Sequence, residues 1–337
     1  FADTFSAAGF IGDSGIPGAA AGLAEFEGRG GDDVITGSIN ASGEILGRVS
    51  YVSATAAVTV DIAAGTADGD ASVGHDTFNA VNAIVGSVYA DILLGSDNPN
   101  GTYEQYDGRG GDDLIDGRGG YDFATYNNDL TTTSGLSVNL AAGTVTGDAS
   151  VGTDTLRSVE AVRGTKFADT YSATGFNGSS TNAGSYGTFN NFEGMGGDDV
   201  ITGNGNTRLQ YTQALDGVTV DISTGTAHGT AAGDVAQVGT DHFTGVNAVM
   251  GSQFDDVITG SGANENFMGL AGNDTIDGGG GFDTAQYSNL TFVTGGVNVN
   301  MTSGTVTGDA STGTDTLRSI EGVQGTIFAD IYDATGF

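Results

Sequence analysis

Acidic residues that follow glycines recur in this chain at a fixed phase of nine residues. Residues 251–286 divide into four nonapeptides, GSQFDDVIT, GSGANENFM, GLAGNDTID and GGGGFDTAQ, each with glycine first and an acid at position six. Position eight is large and apolar at Ile258, Phe267 and Ile276, and is Ala285 in the last nonapeptide. Carboxylates at this spacing could bind a metal ion, take part in acid–base catalysis, or only solvate turns.

Two nonapeptides predict one coil of loop, short strand, loop and short strand, because glycine permits tight reversals at positive φ. Parallel stacking spaces successive coils by about 4.8 Å, so the position-six acids of adjacent coils lie above one another. Like charges about 5 Å apart repel by ~1 kcal/mol or more, and we therefore expect a cation between the loops. Calcium fits such loops, because it accepts six to eight oxygen ligands in irregular geometry, whereas magnesium requires a stricter octahedron.

The nearest matches to these nonapeptides elsewhere are GRGGDDVIT at 28–36, GRGGDDLID at 108–116, GRGGYDFAT at 117–125 and GMGGDDVIT at 194–202. This pattern resembles the repeats-in-toxin (RTX) family, whose nonapeptide is G-G-x-G-x-D-x-U-x with U apolar. The resemblance implies an all-β fold, a right-handed parallel β-roll or β-helix solenoid, with several calcium ions between stacked Gly/Asp-rich turns. Position-six carboxylates and loop carbonyls would hold the ions.

Carried over to this chain, the resemblance pairs Asp256 with Asp274 and Glu265 with Asp283, one coil apart; Glu265 departs from the family's aspartate. Across inserted loops it pairs Asp91 with Asp113 and Asp169 with Asp199. The expected carboxylate ligands are Asp3, Asp33, Asp91, Asp113, Asp122, Asp169, Asp199, Asp256, Glu265, Asp274, Asp283 and Asp330. The expected carbonyl donors lie around Gly28, Gly30, Gly108, Gly110, Gly194, Gly196, Gly269, Gly278 and Gly280. Weaker candidates are the acids of lone G-x-D turns, Asp76, Asp154, Asp241 and Asp315.

Longer repeats organise the chain. The opening decapeptide FADTFSAAGF returns at Phe167 and Phe328 with few changes, and shorter units alternate in two kinds, A and B. We expect one continuous solenoid made of unit A1 at 1–85, B1 at 86–163, A2 at 164–250, B2 at 251–324 and the start of a further unit at 325–337. Because both ends fall within a unit, we expect a longer tandem array. Insertions such as residues 9–25 are the best candidates for partner contact.

The second half of each unit departs from the nonapeptide. Alternation of apolar and polar residues, as at Val58, Val60 and Ile62, predicts short strands with one buried face. Residues 287–324 are close in length to two further coils, so we expect this half to continue the stack. No window shows the apolar period of an amphipathic helix.

Composition excludes several classes of protein. Among 337 residues there are 60 glycines, 42 acidic and 9 basic side chains and no cysteine, giving a formal net charge of −33. This acidic excess argues against nucleic acid or an anionic membrane surface as a partner. Without cysteine the chain has no disulfide framework and no zinc cluster of the cysteine type. No run of 18 apolar residues is present, so we expect no membrane insertion.

The resemblance to RTX proteins implies a secreted structural protein at the surface of a bacterium, where calcium folds a rigid rod or fibre, and the tandem repeats predict that it associates with further copies of the same repeat. Two alternatives share the fold: the stalk of an RTX adhesin or S-layer protein, and the secretion and stability module of an exoenzyme exported by a type I system. We expect no enzyme, although paired carboxylates could serve a glycosidase, because the repeat accounts for every acid pair. An ice-binding face is a further, weaker reading of the recurring threonines Thr66, Thr144, Thr226 and Thr305.

Overall fold

A computed structural model describes residues 1–9, 23–40, 43–98, 103–127, 131–288 and 293–337. In these ranges the chain forms 31 strands and no helix, which confirms the all-β prediction. No helix in the described part of the chain is therefore long and apolar enough to cross a membrane. Most of the insertion at residues 9–25, our candidate for partner contact, lies outside the described residues.

The chain forms two compact units, and the first comprises Phe1–Gly164 with Gly175–Thr188. Its strands are β1 (Thr4–Ser6), β2 (Ala24–Phe26), β3 (Val34–Thr36), β4 (Gly47–Ser50), β5 (Thr59–Asp61), β6 (Thr66–Asp68), β7 (His75–Asn79), β8 (Ala83–Val85), β9 (Ile92–Leu94), β10 (Glu104–Asp107), β11 (Leu114–Asp116), β12 (Asp122–Thr125), β13 (Ser137–Asn139), β14 (Thr144–Thr146), β15 (Thr153–Arg157) and β16 (Ala161–Arg163).

The second unit comprises Thr165–Thr174 with Phe189–Phe337. Its strands are β17 (Thr170–Ser172), β18 (Asn190–Glu193), β19 (Val200–Gln210), β20 (Val218–Asp221), β21 (Thr226–Gly229), β22 (Thr240–Met250), β23 (Val257–Thr259), β24 (Asn266–Met268), β25 (Thr275–Asp277), β26 (Thr284–Gln286), β27 (Asn298–Asn300), β28 (Thr305–Thr307), β29 (Thr314–Arg318), β30 (Gly322–Gln324) and β31 (Ile331–Asp333).

Each unit is a parallel β-roll in which strands stack on two sides. In the first unit β5, β9, β11 and β15 form one parallel ladder, and β2, β4, β8, β10, β12 and β16 form the other. In the second unit the corresponding ladders contain β20, β23, β25 and β29 on one side and β22, β24, β26 and β30 on the other. The predicted β-roll is therefore confirmed.

The core of each unit consists of the central residues of these short strands. Ile258 stacks on Ile276, which stacks on Leu317, and on the opposite ladder Phe267 stacks on Ala285. Ile258, Phe267 and Ala285 are fully buried, and Ile276 is nearly so. Side chains alternate across a strand, so the residues on either side of each central residue point outward.

The second half of each unit contains a feature that differs from the expectation of two plain coils. Strands β5, β6 and β7 form an antiparallel meander, and so do β13 to β15, β20 to β22 and β27 to β29. The physical reason is a tight reversal at a glycine with positive φ, such as Gly65 at 67° or Gly304 at 62°. The chain turns back there and does not complete a further coil.

We expect Ile276→Ala to destabilise the calcium-loaded chain by about 2–5 kcal/mol, because it leaves a cavity between Ile258 and Leu317. The neighbouring outward residue provides the matched control, since Thr275→Ala should change the free energy of unfolding by no more than about 0.5 kcal/mol. Urea unfolding followed by far-UV circular dichroism measures both values. Equal effects of the two substitutions would show that position eight does not form the core.

Candidate metal centres

Acidic side chains at the beginnings of the strands form ladders of hydrogen bonds within each unit. The backbone N–H of Asp91 donates to Oδ1 of Asp113 at 2.8 Å, and the N–H of Asp113 donates to Oδ1 of Asp154 at 3.0 Å. The same two steps join Asp3 to Asp33 to Asp76, Asp169 to Asp199 to Asp241, and Asp256 to Asp274 to Asp315. The second and third carboxylates of each ladder thus accept a backbone donor from the adjacent coil, which fixes their position.

These ladders bring together the acid pairs that the sequence indicated. Asp256 lies against Asp274 and Glu265 against Asp283, each pair 18 residues apart. The weaker candidates from the lone G-x-D turns occupy the third place in every ladder, where the sequence offered no partner for them. Asp330 corresponds to the first acid of such a ladder, since its Oδ1 accepts the N–H of Val297 at 2.8 Å, as Oδ1 of Asp256 accepts the N–H of Val218 at 2.7 Å.

A second kind of ladder combines acids that the sequence indicated, Glu265 and Asp283, with glutamates that the sequence analysis did not include among the ligands. The N–H of Glu265 donates to Oδ1 of Asp283 at 2.8 Å, and the N–H of Asp283 donates to Oε2 of Glu321 at 3.0 Å. In the first unit the equivalent residues are Glu104, Asp122 and Glu160, with Asp122 donating to Glu160 at 3.1 Å. The alternation of Asn82, Glu160, Asn247 and Glu321 between A and B units was the signal that could have found them.

Most ladder carboxylates are almost completely buried. The exposed fraction is 2% or less for Asp33, Asp76, Asp91, Asp113, Asp122, Asp154, Asp169, Asp199, Asp241, Asp256, Glu265, Asp274, Asp283 and Asp315. In one subset Oδ2 also has no hydrogen-bond partner, namely Asp33, Asp76, Asp113, Asp122, Asp154, Asp199, Asp274 and Asp283. A buried carboxylate oxygen without a partner costs free energy that only a proton or a cation can offset.

Buried tyrosines cover the last acid of each first-kind ladder. The hydroxyl of Tyr211 donates to Oδ2 of Asp241 at 3.1 Å, and that of Tyr287 donates to Oδ2 of Asp315 at 2.6 Å. Burial followed by the charge of the neighbouring aspartate raises the pKa of both tyrosines. The sequence analysis missed these residues, although a tyrosine recurs at the same place in every unit, at Tyr51, Tyr126, Tyr211 and Tyr287.

Without a cation, the middle acids Asp113, Asp122 and Asp274 are held in their protonated form. Burial, followed by the charge of Asp154, raises the pKa of Asp113 to about 9. Burial and the charge of Asp315 raise the pKa of Asp274 to about 9 in the same way. Burial and the charge of Glu160 raise the pKa of Asp122 to about 9. Neutral pH therefore leaves these sites occupied by protons unless a positive ion replaces them.

Glycine is required in the loops for a steric reason. A Cβ on the first glycine of a loop would overlap the carboxylate of the same loop, as at Gly28, Gly108, Gly194, Gly269 and Gly278. The third-position glycines approach the backbone of the adjacent loop, and a Cβ at Gly30 would lie 2.7 Å from the carbonyl oxygen of Ala71. The same carbonyl approach is 3.2 Å at Gly110 and 3.1 Å at Gly196, while Gly280 has more room.

The donors in these loops fit calcium. Among the described residues, no three His, Cys, Asp or Glu side chains converge as a ready-made metal site. Backbone carbonyls must therefore complete any coordination shell around the unpartnered carboxylate oxygens. An all-oxygen, mixed carboxylate and carbonyl set is the kind that calcium prefers. Bound calcium would supply the positive charge that the buried acids lack.

The central nonapeptides also match a known family. Residues 243–276 and 250–285 match the four-copy model of the RTX calcium-binding nonapeptide repeat. The chain carries RTX repeats. The RTX match covers Asp256, Glu265 and Asp274, and thus the block that the sequence divides into nonapeptides without remainder. This confirms a calcium-binding repeat module, while the role of each individual ligand stays a prediction. No curated protein matches the chain.

We expect the metal-stripped RTX repeats to be more stable in mild acid than in alkali. The pKa of Asp113, Asp122 and Asp274 is about 9 in the folded chain, against about 4 for unfolded aspartate. The folded state therefore binds more protons, and its stability decreases as the pH rises from about 4 through about 9. Calcium displaces these protons, so the calcium-loaded chain should lose much less stability over the same range.

The folded fraction, read from far-UV circular dichroism at about pH 5, 7 and 9 with and without saturating calcium, measures both trends. Calcium is removed by gel filtration before the pH is adjusted, because a chelator loses affinity when acid protonates it. A metal-stripped chain whose stability is independent of pH would contradict the assignment of protons to the buried acids.

Proposed function

We propose that this chain is a secreted calcium-binding structural segment that forms a rigid extracellular rod or fibre at the surface or in the matrix of a bacterium. The observation that carries the proposal is the ladder of buried carboxylates in each unit. Charged side chains at this density oppose folding unless cations lie among them. A fold built in this way depends on its calcium supply.

The charge and composition of the chain support a location outside the cell. Proteins with RTX repeats are typically secreted. With a net charge of −33, the unfolded chain repels itself and stays extended while calcium is scarce. Calcium sites of extracellular modules have dissociation constants of about 10⁻⁴–10⁻³ M, so such a chain would fold on meeting the calcium concentration outside. Folding and metal binding are then one process.

The hydrogen bonds that the acids accept within the repeat support a structural and non-catalytic role. In Asp91, Asp256 and Glu265 the carboxylate oxygens accept hydrogen bonds from the serine of their own loop. Association with further copies of the repeat is also part of the proposal. Apolar side chains at the outward strand positions are available for it, at Val34, Ile92, Val200 and Val257.

Calcium titration of the metal-stripped chain at neutral pH should produce a cooperative gain of strand signal in far-UV circular dichroism. Magnesium at the same concentration should produce much less, because it requires a regular octahedron and retains its waters. Small-angle X-ray scattering of the calcium-loaded chain should give the skewed distance distribution of an elongated particle.

Two results would contradict the proposal. Full strand signal in calcium-stripped protein at neutral pH would exclude folding by calcium. A symmetrical distance distribution with a radius of gyration near 20 Å, as for a globular chain of this length, would exclude a rod. Electron microscopy at high protein concentration then tests for contacts between copies.

A further inference from the structure

The nonapeptide loops are of two kinds, distinguished by the residue at position two. In the first kind this residue is serine or threonine. The hydroxyl of Ser252 donates to Oδ1 of Asp256 at 2.7 Å, and its backbone N–H donates to Oδ2 at 2.6 Å. We call these closed loops. The position-two residues and acids of the closed loops are Ser87 with Asp91, Ser96 with Glu104, Thr165 with Asp169, Ser252 with Asp256, Ser261 with Glu265, and Thr326 with Asp330.

In the second kind, which we call open loops, position two has no hydroxyl and adopts a left-handed backbone conformation. Leu270 has a φ of 79° and Arg109 one of 66°. The residues at position two of the open loops are Arg29, Arg109, Arg118, Met195, Leu270 and Gly279, all with positive φ. Their acids are Asp33, Asp113, Asp122, Asp199, Asp274 and Asp283. In each of these six, Oδ2 is unpartnered and the side chain is at least 98% buried.

Closed and open loops alternate along each stack. They differ in whether the carboxylate oxygens that a cation would bind already accept hydrogen bonds. Asp256 in a closed loop already accepts three hydrogen bonds, from the N–H of Val218 at 2.7 Å and from the hydroxyl and N–H of Ser252. A cation would have to displace these donors. The loops differ in these hydrogen bonds and not in their carbonyls, because closed loops such as the one at Gly260 and open loops such as the one at Gly278 both bring a carbonyl oxygen of the adjacent coil close to the acid. The position where a Cβ of Gly278 would lie is close to both Oδ2 of Asp283 and the carbonyl oxygen of Ser319.

We propose that the residue at position two decides which loops bind calcium: the six open loops bind it, and the closed loops are held by serine or threonine without metal. The proposal rests on the proposed calcium-dependent function and refines it. Half of the acids that match the RTX pattern then act as metal-independent supports between calcium-binding coils. Serine or threonine at position two predicts a closed loop, and arginine, methionine, leucine or glycine predicts an open one.

Stacked neighbours provide a matched test, since Asp256 and Asp274 are equally buried and lie one coil apart. Asp274→Asn should lose at least one bound calcium per chain, because the open oxygen becomes an uncharged amide. Asp256→Asn should keep the full calcium stoichiometry. It should lower the urea midpoint of the calcium-loaded chain at neutral pH and of the metal-stripped chain at about pH 5, because the NH₂ group of the new amide faces the N–H of Ser252, which is also a donor. Isothermal titration calorimetry and elemental analysis of the dialysed full chain measure the stoichiometry.

Asp330→Asn repeats the closed-loop arm at β31, and it replaces Asp256→Asn if that variant fails to fold. Asp113→Asn likewise repeats the open-loop arm in the first unit. Loss of calcium from the closed-loop variants equal to that from the open-loop variants would overturn the proposal, and so would full stoichiometry in Asp274→Asn and Asp113→Asn. A wild-type chain that binds no calcium would instead refute the proposed function, so the two failures are distinguishable.

Discussion

Stacked carboxylates with buried oxygens are the constraint on which the rest of this structure depends. Each coil places an acid directly above the acid of the next, and a backbone N–H of one coil donates to the carboxylate of the other. This hydrogen bond aligns the coils, but it also brings like charges together in a region that water does not reach. The glycines, the short strands and the narrow core follow from keeping that arrangement while leaving room for oxygen ligands around each acid.

The stacking of the acids and the buried residues could be predicted from the sequence, because the nonapeptide repeat is regular at the positions of the carboxylates. Eighteen residues between Asp256 and Asp274 correspond to one coil, and the apolar residue at position eight is buried as expected. The meanders could not be predicted in the same way. The turn at Gly304, which has a positive φ and reverses the chain, has a composition similar to that of a turn that continues a coil. Only the antiparallel pairing of β28 with β27 and β29 distinguishes the two kinds of turn.

The roles of individual acids were the other part that spacing alone could not give. Asp256 and Asp274 have the same place in the nonapeptide and the same burial, yet one carboxylate is fully hydrogen-bonded and the other has a free oxygen. The difference depends on the side chain and backbone of Ser252 and Leu270, which both replace the glycine that the RTX consensus has at position two. Likewise, Tyr287 covers Asp315 from a strand 28 residues away in sequence.

The meanders have a further consequence, which concerns alignment. A chain built from nearly identical coils can pair one coil too far along and still bury its apolar residues, so such repeats are prone to slippage. In this chain the reversed strands β6, β14, β21 and β28 interrupt the succession of parallel strands. A slipped coil would meet a strand of the wrong direction and lose its hydrogen bonds. Each meander thus marks a fixed position in the stack, and a highly repetitive sequence can thereby specify a single alignment.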